Sequence, residues 1–236
     1  MLALPEYQSC RQGGWQDCWL LSAAVGLAFK RPAELASIFE SLDDGSYRVT
    51  FPGREGVVAL ADSGSGALSE PWPWVAVLEA AAEQLLDAKG SRVASFGIGI
   101  ELLTGHSRVG FTNFFGAGFA PGWILSSRGE WFKEQMAKAA AEHRLVVLGG
   151  SDGRFATPKQ PWVSPRHCYA VLDYDRDADR ARAHDPHGND DGCEGNPIPA
   201  ERKDEGYGPG EFWLSAAEVE ASFCGLSIES NGKPGA

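Results

Sequence analysis

Cys18 is the residue of this 236-residue sequence that is best placed to act as a nucleophile. It stands where the turn GGWQD meets the apolar segment CWLLSAAVGLAF, which is predicted to form a buried helix. A thiol at a helix N-terminus faces unpaired N–H groups and the positive end of the helix dipole, and both favour the thiolate. The alternative is an inert buried thiol, because free cysteine is among the most buried residue types. Its role therefore depends on the residues around it.

Three other residues supply the groups that a nucleophilic thiol needs. His167 opens the predicted strand HCYAVLDYD, and a histidine near a thiol takes its proton and later protonates the leaving amine. Asp185 ends the next predicted strand and can hold the imidazole in one tautomer, although an Asp-Pro pair also starts ordinary turns. Gln12, six residues before Cys18, has an amide that can donate to a developing oxyanion.

The predicted secondary structure that must position these residues changes along the chain from mainly helices to mainly strands. The first half is predicted to be mainly helical. It is expected to contain a buried helix over 18–29 and a short amphipathic helix that starts near residue 35 and ends near Asp44-Gly45. A hairpin over 47–62 and a second long helix over 74–89 follow. Residues 90–122 are dense in glycine and are predicted to be loops that contain a hinge.

The C-terminal half is predicted to be mainly strands. After a helix over 129–143, strands are expected over 145–150, 167–175, 181–185 and 211–214. Ser215 and Glu218 then form a capping box that starts a short helix. The sequence thus predicts a helical part and a sheet part with a cleft between them, where chemistry is commonly found.

Several motifs, in order along the chain, resemble those of the calpain-type cysteine peptidases. They are QGGWQDCWLLSAAVGLA, SYRVTFPGREGVVALAD, WVAVLEAAAEQL, LLTG, RHCYAVLDY, HDPHG and GEFWLSAAEVEASF. The resemblance implies an α+β, papain-like fold with a helical N-terminal subdomain (1–122) and an antiparallel-sheet C-terminal subdomain (123–236). The active site would lie in the cleft between the two.

The resemblance also implies a function, a cysteine endopeptidase that works through a Cys-His-Asp triad and an acyl-enzyme. Cys18 would be the nucleophile, His167 the general base and acid, and Gln12 the oxyanion-hole donor. Asp185 stands where the family has an asparagine, and Asn189 is the alternative orienting residue. His187 replaces the family's shielding tryptophan. Two other functions remain open, a catalytically silent binding module and a papain-like acyl transferase or deamidase.

Metal ions are not expected to take part. The family's acidic calcium ligands are mostly missing, since Ser9 replaces one and only Glu211 remains of another group, so the resemblance implies calcium-independent activity without a cofactor. The run 189–191 is an alternative, weak calcium site. A zinc site is a further alternative, but it lacks a second close pair of ligands; its residues would be His184, His187, Cys193 and Cys168.

Composition excludes several classes of partner. The 32 acidic residues outnumber the 21 basic ones and give a net charge of −11, which repels nucleic acid and anionic membranes. Five cysteines, an odd number, argue against a secreted disulfide scaffold. With no signal peptide visible, we expect a cytoplasmic protein, leaving export without a cleaved signal open. The expected partners are protein or peptide substrates, with a regulatory partner or flanking domain as a source of control.

Overall fold

The computed structural model describes residues 2–13, 16–54, 58–61, 73–87, 96–112, 122–150, 158–193 and 195–230. The chain is a mixed α+β protein. Its helices in the described part are α1 (Cys18–Lys30), α2 (Pro32–Ser37), α3 (Trp74–Asp87), α4 (Ile98–Thr104), α5 (Gly122–Ala141) and α6 (Ala216–Ser222). Its strands there are β1 (Phe39–Ser41), β2 (Tyr47–Thr50), β3 (Val58–Ala61), β4 (Arg108–Thr112), β5 (Val146–Gly150), β6 (Cys168–Asp175), β7 (Arg180–His184), β8 (Glu211–Leu214) and β9 (Phe223–Glu229).

The buried helix α1 lies at the centre of the molecule. Every residue from Trp19 to Ala28 is buried, as its apolar sequence predicts. The helix packs against α4 and β6. In α4 a side chain on Gly99 would place its Cβ 2.4 Å from the carbonyl oxygen of Trp19, so only glycine allows this close helix contact. α1 is thereby fixed against the sheet that carries the other candidate residues.

Two antiparallel sheets complete the fold. Strands β1, β2 and β3 form a small sheet, and the larger sheet has the order β4-β9-β5-β6-β7-β8. Alternate residues of β6 belong to different cores, as expected of a strand covered on both faces. Cys168, Ala170 and Leu172 lie in the core that contains α1. Tyr169, Val171 and Tyr174 lie in a second core with residues of α5 and α6.

The register of β6 and β7 brings two chain segments to one edge of the sheet. Ala170 pairs with His184, so the residues that precede β6 and those that follow β7 lie beside each other. Just before β6, Arg166 has a φ of 55°, a left-handed conformation that costs a non-glycine residue about 1–3 kcal/mol. The residues at this edge are His167 and Asp185.

Most predicted elements are present, with some changes of boundary. α1, β2, α3, β5, β6, β7, β8 and the capping box of α6 agree with the predictions to within a few residues. The prediction of the amphipathic helix is wrong for the second half of that segment. α2 ends at Ser37, and Phe39 begins β1 by pairing with Val49. Pairing with a neighbouring strand therefore overrides the helical spacing of this segment.

The prediction of loops over 90–122 is wrong where the structure describes that stretch. α4 and β4 lie within it, and α5 begins at Gly122 rather than at residue 129. β9 was not predicted at all, yet it lies between β4 and β5 in the large sheet. The division at 122/123 stays a prediction, although β4 pairs with β9 of the C-terminal part. Residues 90–95 and 113–121 of the predicted loop fall outside the described residues.

Within the described ranges, no helix combines the length and the apolar composition that a bilayer span requires.

Candidate active site

The Cys18 thiol and the His167 imidazole are hydrogen-bonded to each other. Cys18 is half-buried at the first position of α1, and His167 is 7% exposed immediately before β6. The Nε2 atom of His167 lies 2.9 Å from Asp185 Oδ1, which leaves Nδ1 as the ring nitrogen that meets the thiol. The structure therefore brings together the predicted nucleophile, base and orienting carboxylate, although they are far apart in the sequence.

Charge makes the thiolate the stable form of Cys18. A hydrogen bond from the Cys168 thiol, opposed by burial and reinforced by a hydrogen bond from His167, lowers the pKa of Cys18 to about 4. Burial disfavours a charged His167, but hydrogen bonds with Asp185 and Cys18 outweigh it and raise the pKa of His167 to about 9. Between these values the site holds a thiolate and an imidazolium, the reactive pair of a cysteine nucleophile.

One carboxylate oxygen of Asp185 makes three of the contacts of the site. Its Oδ1 atom lies 2.9 Å from His167 Nε2, 2.9 Å from the backbone N of His187 and 2.9 Å from His187 Nδ1. Burial favours the neutral acid, but the hydrogen bonds with the two histidines hold the pKa of Asp185 far below its usual range. A permanently ionised carboxylate can fix the orientation of His167 and stabilise its positive charge.

His187 covers the hydrogen bond between His167 and Asp185. Its ring stacks on that of His167, with the centroids 4.5 Å apart and the planes 19° from parallel. The edge of Tyr169 packs on His167, with centroids 5.0 Å apart. Although the side chain of His187 is itself 42% exposed, it leaves His167 almost fully buried. The histidine thus lies over the bond that the resemblance assigns to a tryptophan for shielding.

The loop that carries Gln12 is bonded to the loop that carries Asp185. The backbone N–H of Gln12 donates to the carbonyl oxygen of Pro186 at 2.8 Å. Gly188 has a φ of +64°, and a Cβ there would lie 2.3 Å from the Cys10 carbonyl oxygen, so glycine is needed for the two loops to meet. Gln12 is therefore held at the site, and its role as oxyanion donor stays a prediction.

A pair of carboxyl groups lies directly behind the nucleophile. Asp17, 4% exposed, precedes Cys18, and its carboxyl group lies beside that of Glu79 in α3. No donor from another described residue reaches the Asp17 carboxylate, so the two acids can form a hydrogen bond only when one of them holds a proton. Burial, followed by the charge of Glu79, raises the pKa of Asp17 to about 8. Glu79 also accepts from the Gly13 N–H, which connects the pair to the Gln12 loop.

The carboxyl pair predicts a specific pH dependence of stability. The native pKa of Asp17 exceeds its ordinary value of 3.8, so the native state binds more protons than the unfolded state between about pH 4 and pH 8. Its contribution to the free energy of unfolding therefore decreases as the pH rises through this window. In Asp17→Asn this decrease should disappear, which makes the slope less negative by up to about 1.4 kcal/mol per pH unit.

Urea unfolding of Asp17→Asn and the unchanged protein at several pH values measures this difference. Glu83→Gln is the matched control, because Glu83 lies on the exposed surface of α3, the helix that carries Glu79. Its free energy of unfolding should depend on pH as that of the unchanged protein does. If the Asp17→Asn curve runs parallel to that of the unchanged protein from pH 4 to pH 8, the two carboxyl groups do not share a proton.

The residues considered for calcium have other partners. Glu211 is fully buried and accepts from Arg182 Nε at 2.7 Å and from the Gly208 N–H at 3.0 Å. In the acidic run 189–191, Asp190 bonds Lys203 Nζ at 2.7 Å and 2.8 Å. Both carboxylates are therefore compensated by a cation of the chain itself.

The residues considered for zinc do not form a cluster in the described part of the chain. His184 is fully buried, and burial lowers its pKa to about 4, so it is neutral. The three potential ligands that do lie together there are His167, Asp185 and His187. Their hydrogen bonds to each other account for this grouping without an ion.

Sequence reasoning missed three contributors to the site. It placed Cys168 only among the alternative zinc ligands, yet this residue bonds the sulfur of Cys18. Cys168 directly follows His167, and successive residues of a strand point to opposite faces. This position was the one indication in the sequence that Cys168 could lie near the site. For Asp17 and Glu79 no local signal exists, because an acid in a turn and an acid in a helix are ordinary surface residues.

No model of a protein family matches the sequence, and no curated protein matches it either.

Proposed function

We propose that the chain is a papain-like cysteine endopeptidase of the calpain type. The observation that carries the proposal is the continuous set of contacts from Cys18 through His167 to Asp185 at the N-terminus of a buried helix. These groups are a nucleophile, a proton carrier and an orienting carboxylate in the order that acyl transfer requires. The antiparallel sheet that carries His167 and Asp185, packed on the helix that carries Cys18, is compatible with the papain-like fold.

The reaction follows from the charges of the site. The Cys18 thiolate attacks the carbonyl carbon of a peptide bond, and the oxyanion that forms meets N–H donors. One is the backbone N–H of Cys18, which lies among the first N–H groups of α1 that have no partner inside the helix. The second is the side-chain amide of Gln12. His167 then gives its proton to the leaving amine, and water hydrolyses the acyl-enzyme with His167 as base.

Two features support an enzyme over a silent binding module. Burying a thiolate, an imidazolium and a carboxylate together costs free energy, and a module that only binds a partner has no need of that arrangement. The replacement of tryptophan by His187 was the best argument for a silent module. The stacking of His187 on His167 weakens this argument, since the imidazole remains buried.

The partners of this enzyme would be peptides or proteins, and its activity would be independent of calcium. Calcium-independence is supported by the ion pairs that Glu211 and Asp190 make with Arg182 and Lys203. Control by a regulatory partner or a flanking domain belongs to the same proposal.

A mixed peptide library tests the proposed function directly. After incubation with the protein in the presence of a calcium chelator, mass spectrometry should find new peptide termini. An electrophilic thiol probe should label Cys18 much faster than Cys10, Cys193 or Cys224, because Cys18 is held as a thiolate. Glutamine-to-glutamate conversion without new termini would assign a deamidase instead. Slow labelling of Cys18, at the rate of an ordinary thiol, would assign a silent module.

A further inference from the structure

Cys168 places a second thiol against the nucleophile. Cys168 is the first residue of β6, and its side chain lies on the face of the strand that packs against α1, together with Ala170 and Leu172. Cys18 is the first residue of α1 and packs on the same core. The strand and the helix therefore bring the two sulfur atoms together at the edge of the sheet, where they are hydrogen-bonded.

The two thiols of this pair differ in charge. The Cys168 side chain donates its S–H proton to the Cys18 sulfur, and the backbone N–H of Cys168 donates to the same atom. Contact with the Cys18 thiolate, followed by burial, raises the pKa of Cys168 well above its usual range. Cys168 is 7% exposed, whereas Cys18 is accessible from solvent. An oxidant that enters the site therefore meets a thiolate with a protonated thiol directly beside it.

Cys10 and Cys224 are not placed to take this role. Cys10 is completely buried, and its S–H group bonds the Pro186 carbonyl oxygen at 3.7 Å. The Cys224 S–H group bonds the carbonyl oxygen of Gly150 at 3.1 Å. Both protons are thus used by backbone carbonyl groups rather than by the Cys18 thiolate.

We propose that Cys18 and Cys168 form a reversible disulfide when a hydroperoxide oxidises the site, with Cys168 as the resolving thiol. In the first step the Cys18 thiolate attacks one peroxide oxygen, an S–O bond forms and the O–O bond breaks. The departing oxygen takes a proton from the His167 imidazolium, which leaves Cys18 as a sulfenic acid. In the second step Cys168 attacks the Cys18 sulfur, the S–O bond breaks and water leaves with the Cys168 proton.

Electrons and atoms balance in this sequence. The two sulfur atoms together lose two electrons, and the peroxide accepts them to give one alcohol or water molecule and one further water. The disulfide blocks the nucleophile but protects it from the sulfinic and sulfonic states, which ordinary thiols do not reverse. The proposal goes beyond peptide cleavage, because it depends only on the thiolate and its neighbour.

The test uses mass and labelling, so it is independent of peptidase activity. The full chain is treated with a small excess of hydrogen peroxide, and excess peroxide is then removed. The expected intact mass is lower by two hydrogens, and a non-reducing peptide map should join the peptide of Cys18 to that of Cys168. Labelling of Cys18 by an electrophilic probe should be lost after oxidation and should return after treatment with dithiothreitol.

Two variants separate the resolving role from a merely structural one. In Cys168→Ser the same treatment should add oxygen atoms to Cys18, and dithiothreitol should restore little of the labelling. Cys224→Ser, the matched control, should form the crosslink as the unchanged protein does. A sulfinic acid at Cys18 of the unchanged protein, or a crosslink that joins Cys168 to Cys224, would overturn the proposal. Both results can be read on the unchanged protein even if a variant fails to fold.

Discussion

Replacing Cys18 by alanine is expected to lower kcat/KM by at least about 10⁴-fold for any peptide that the protein cleaves. The substitution removes the thiolate, so no acyl-enzyme can form, while His167, Asp185 and the oxyanion donors remain. Those groups alone retain only the weak catalysis that comes from binding and from hydrogen bonding to the oxyanion. A fluorogenic peptide based on a cleavage site from the library experiment provides the measurement.

Cys18→Ser is the second variant for this prediction, because it nearly preserves the shape of the side chain at the start of α1. A serine hydroxyl is a far weaker acid than a thiol, so it stays protonated at neutral pH in a site that otherwise holds a thiolate beside His167. We therefore expect Cys18→Ser to be inactive as well. Cys193→Ala, which removes another partly exposed thiol, should keep kcat/KM within about twofold. Cleavage that persists in both Cys18 variants would remove Cys18 from the mechanism.

Local patterns in the sequence were sufficient to predict the helix and the strands that carry the site residues. α1 is apolar on every face because all of its sides are covered, and that property is visible without knowing what covers them. β6 and β7 were visible because a charged turn separates two runs of strand-forming residues. Since antiparallel neighbours share an edge, placing His167 before β6 and Asp185 after β7 followed from the order of the strands.

What could not be predicted depends on contacts between distant segments. Phe39 continues a helical spacing, but its pairing with Val49 makes it a strand. β9 follows α6 with no turn residue between them, and its position between β4 and β5 becomes apparent only when the sheet is complete. The pairing of Asp17 with Glu79 has the same origin, because each acid is ordinary until folding buries both. Sequence alone thus predicted the candidate triad but not Cys168, Asp17 and Glu79, which lie beside it.

Replacing Asp185 by alanine is expected to lower kcat/KM by about 10²–10⁴-fold. The carboxylate oxygen that accepts from His167 Nε2, from the His187 N–H and from His187 Nδ1 is then lost. His167 would lose both the fixed orientation of its ring and the charge that stabilises the imidazolium. The cost should fall mainly on kcat, because Asp185 is buried behind His167 and does not face the bound peptide.

Asp185→Asn separates orientation from charge. Its amide oxygen can still accept from His167 Nε2, so the ring keeps its place, but the negative charge is removed. In the unchanged protein, kcat/KM should rise with pH through about 4, where Cys18 ionises, and fall through about 9, where His167 loses its proton. Burial lowers the pKa of His167, and in the unchanged protein the Asp185 carboxylate opposes this effect. In Asp185→Asn that opposition is lost, so the pKa of His167 should fall and the decrease of kcat/KM at high pH should begin at a lower pH. A pH profile of kcat/KM for both proteins measures this shift.

Asn189→Ala is the matched control, and it also tests the other residue that the sequence offered as the orienting group. The Asn189 side chain accepts only the local Asp191 N–H at 3.2 Å among its described hydrogen bonds, so its loss should change kcat/KM by no more than about twofold and leave both limbs in place. An upper limb that stays near pH 9 in Asp185→Asn would mean that the Asp185 charge does not sustain the imidazolium. A loss in Asn189→Ala as large as that in Asp185→Ala would move the orienting role to the loop after Gly188. A carboxylate that both orients His167 and stabilises its proton predicts three results together. Asp185→Ala loses most of kcat/KM, Asp185→Asn shifts the high-pH decrease to lower pH, and Asn189→Ala changes neither.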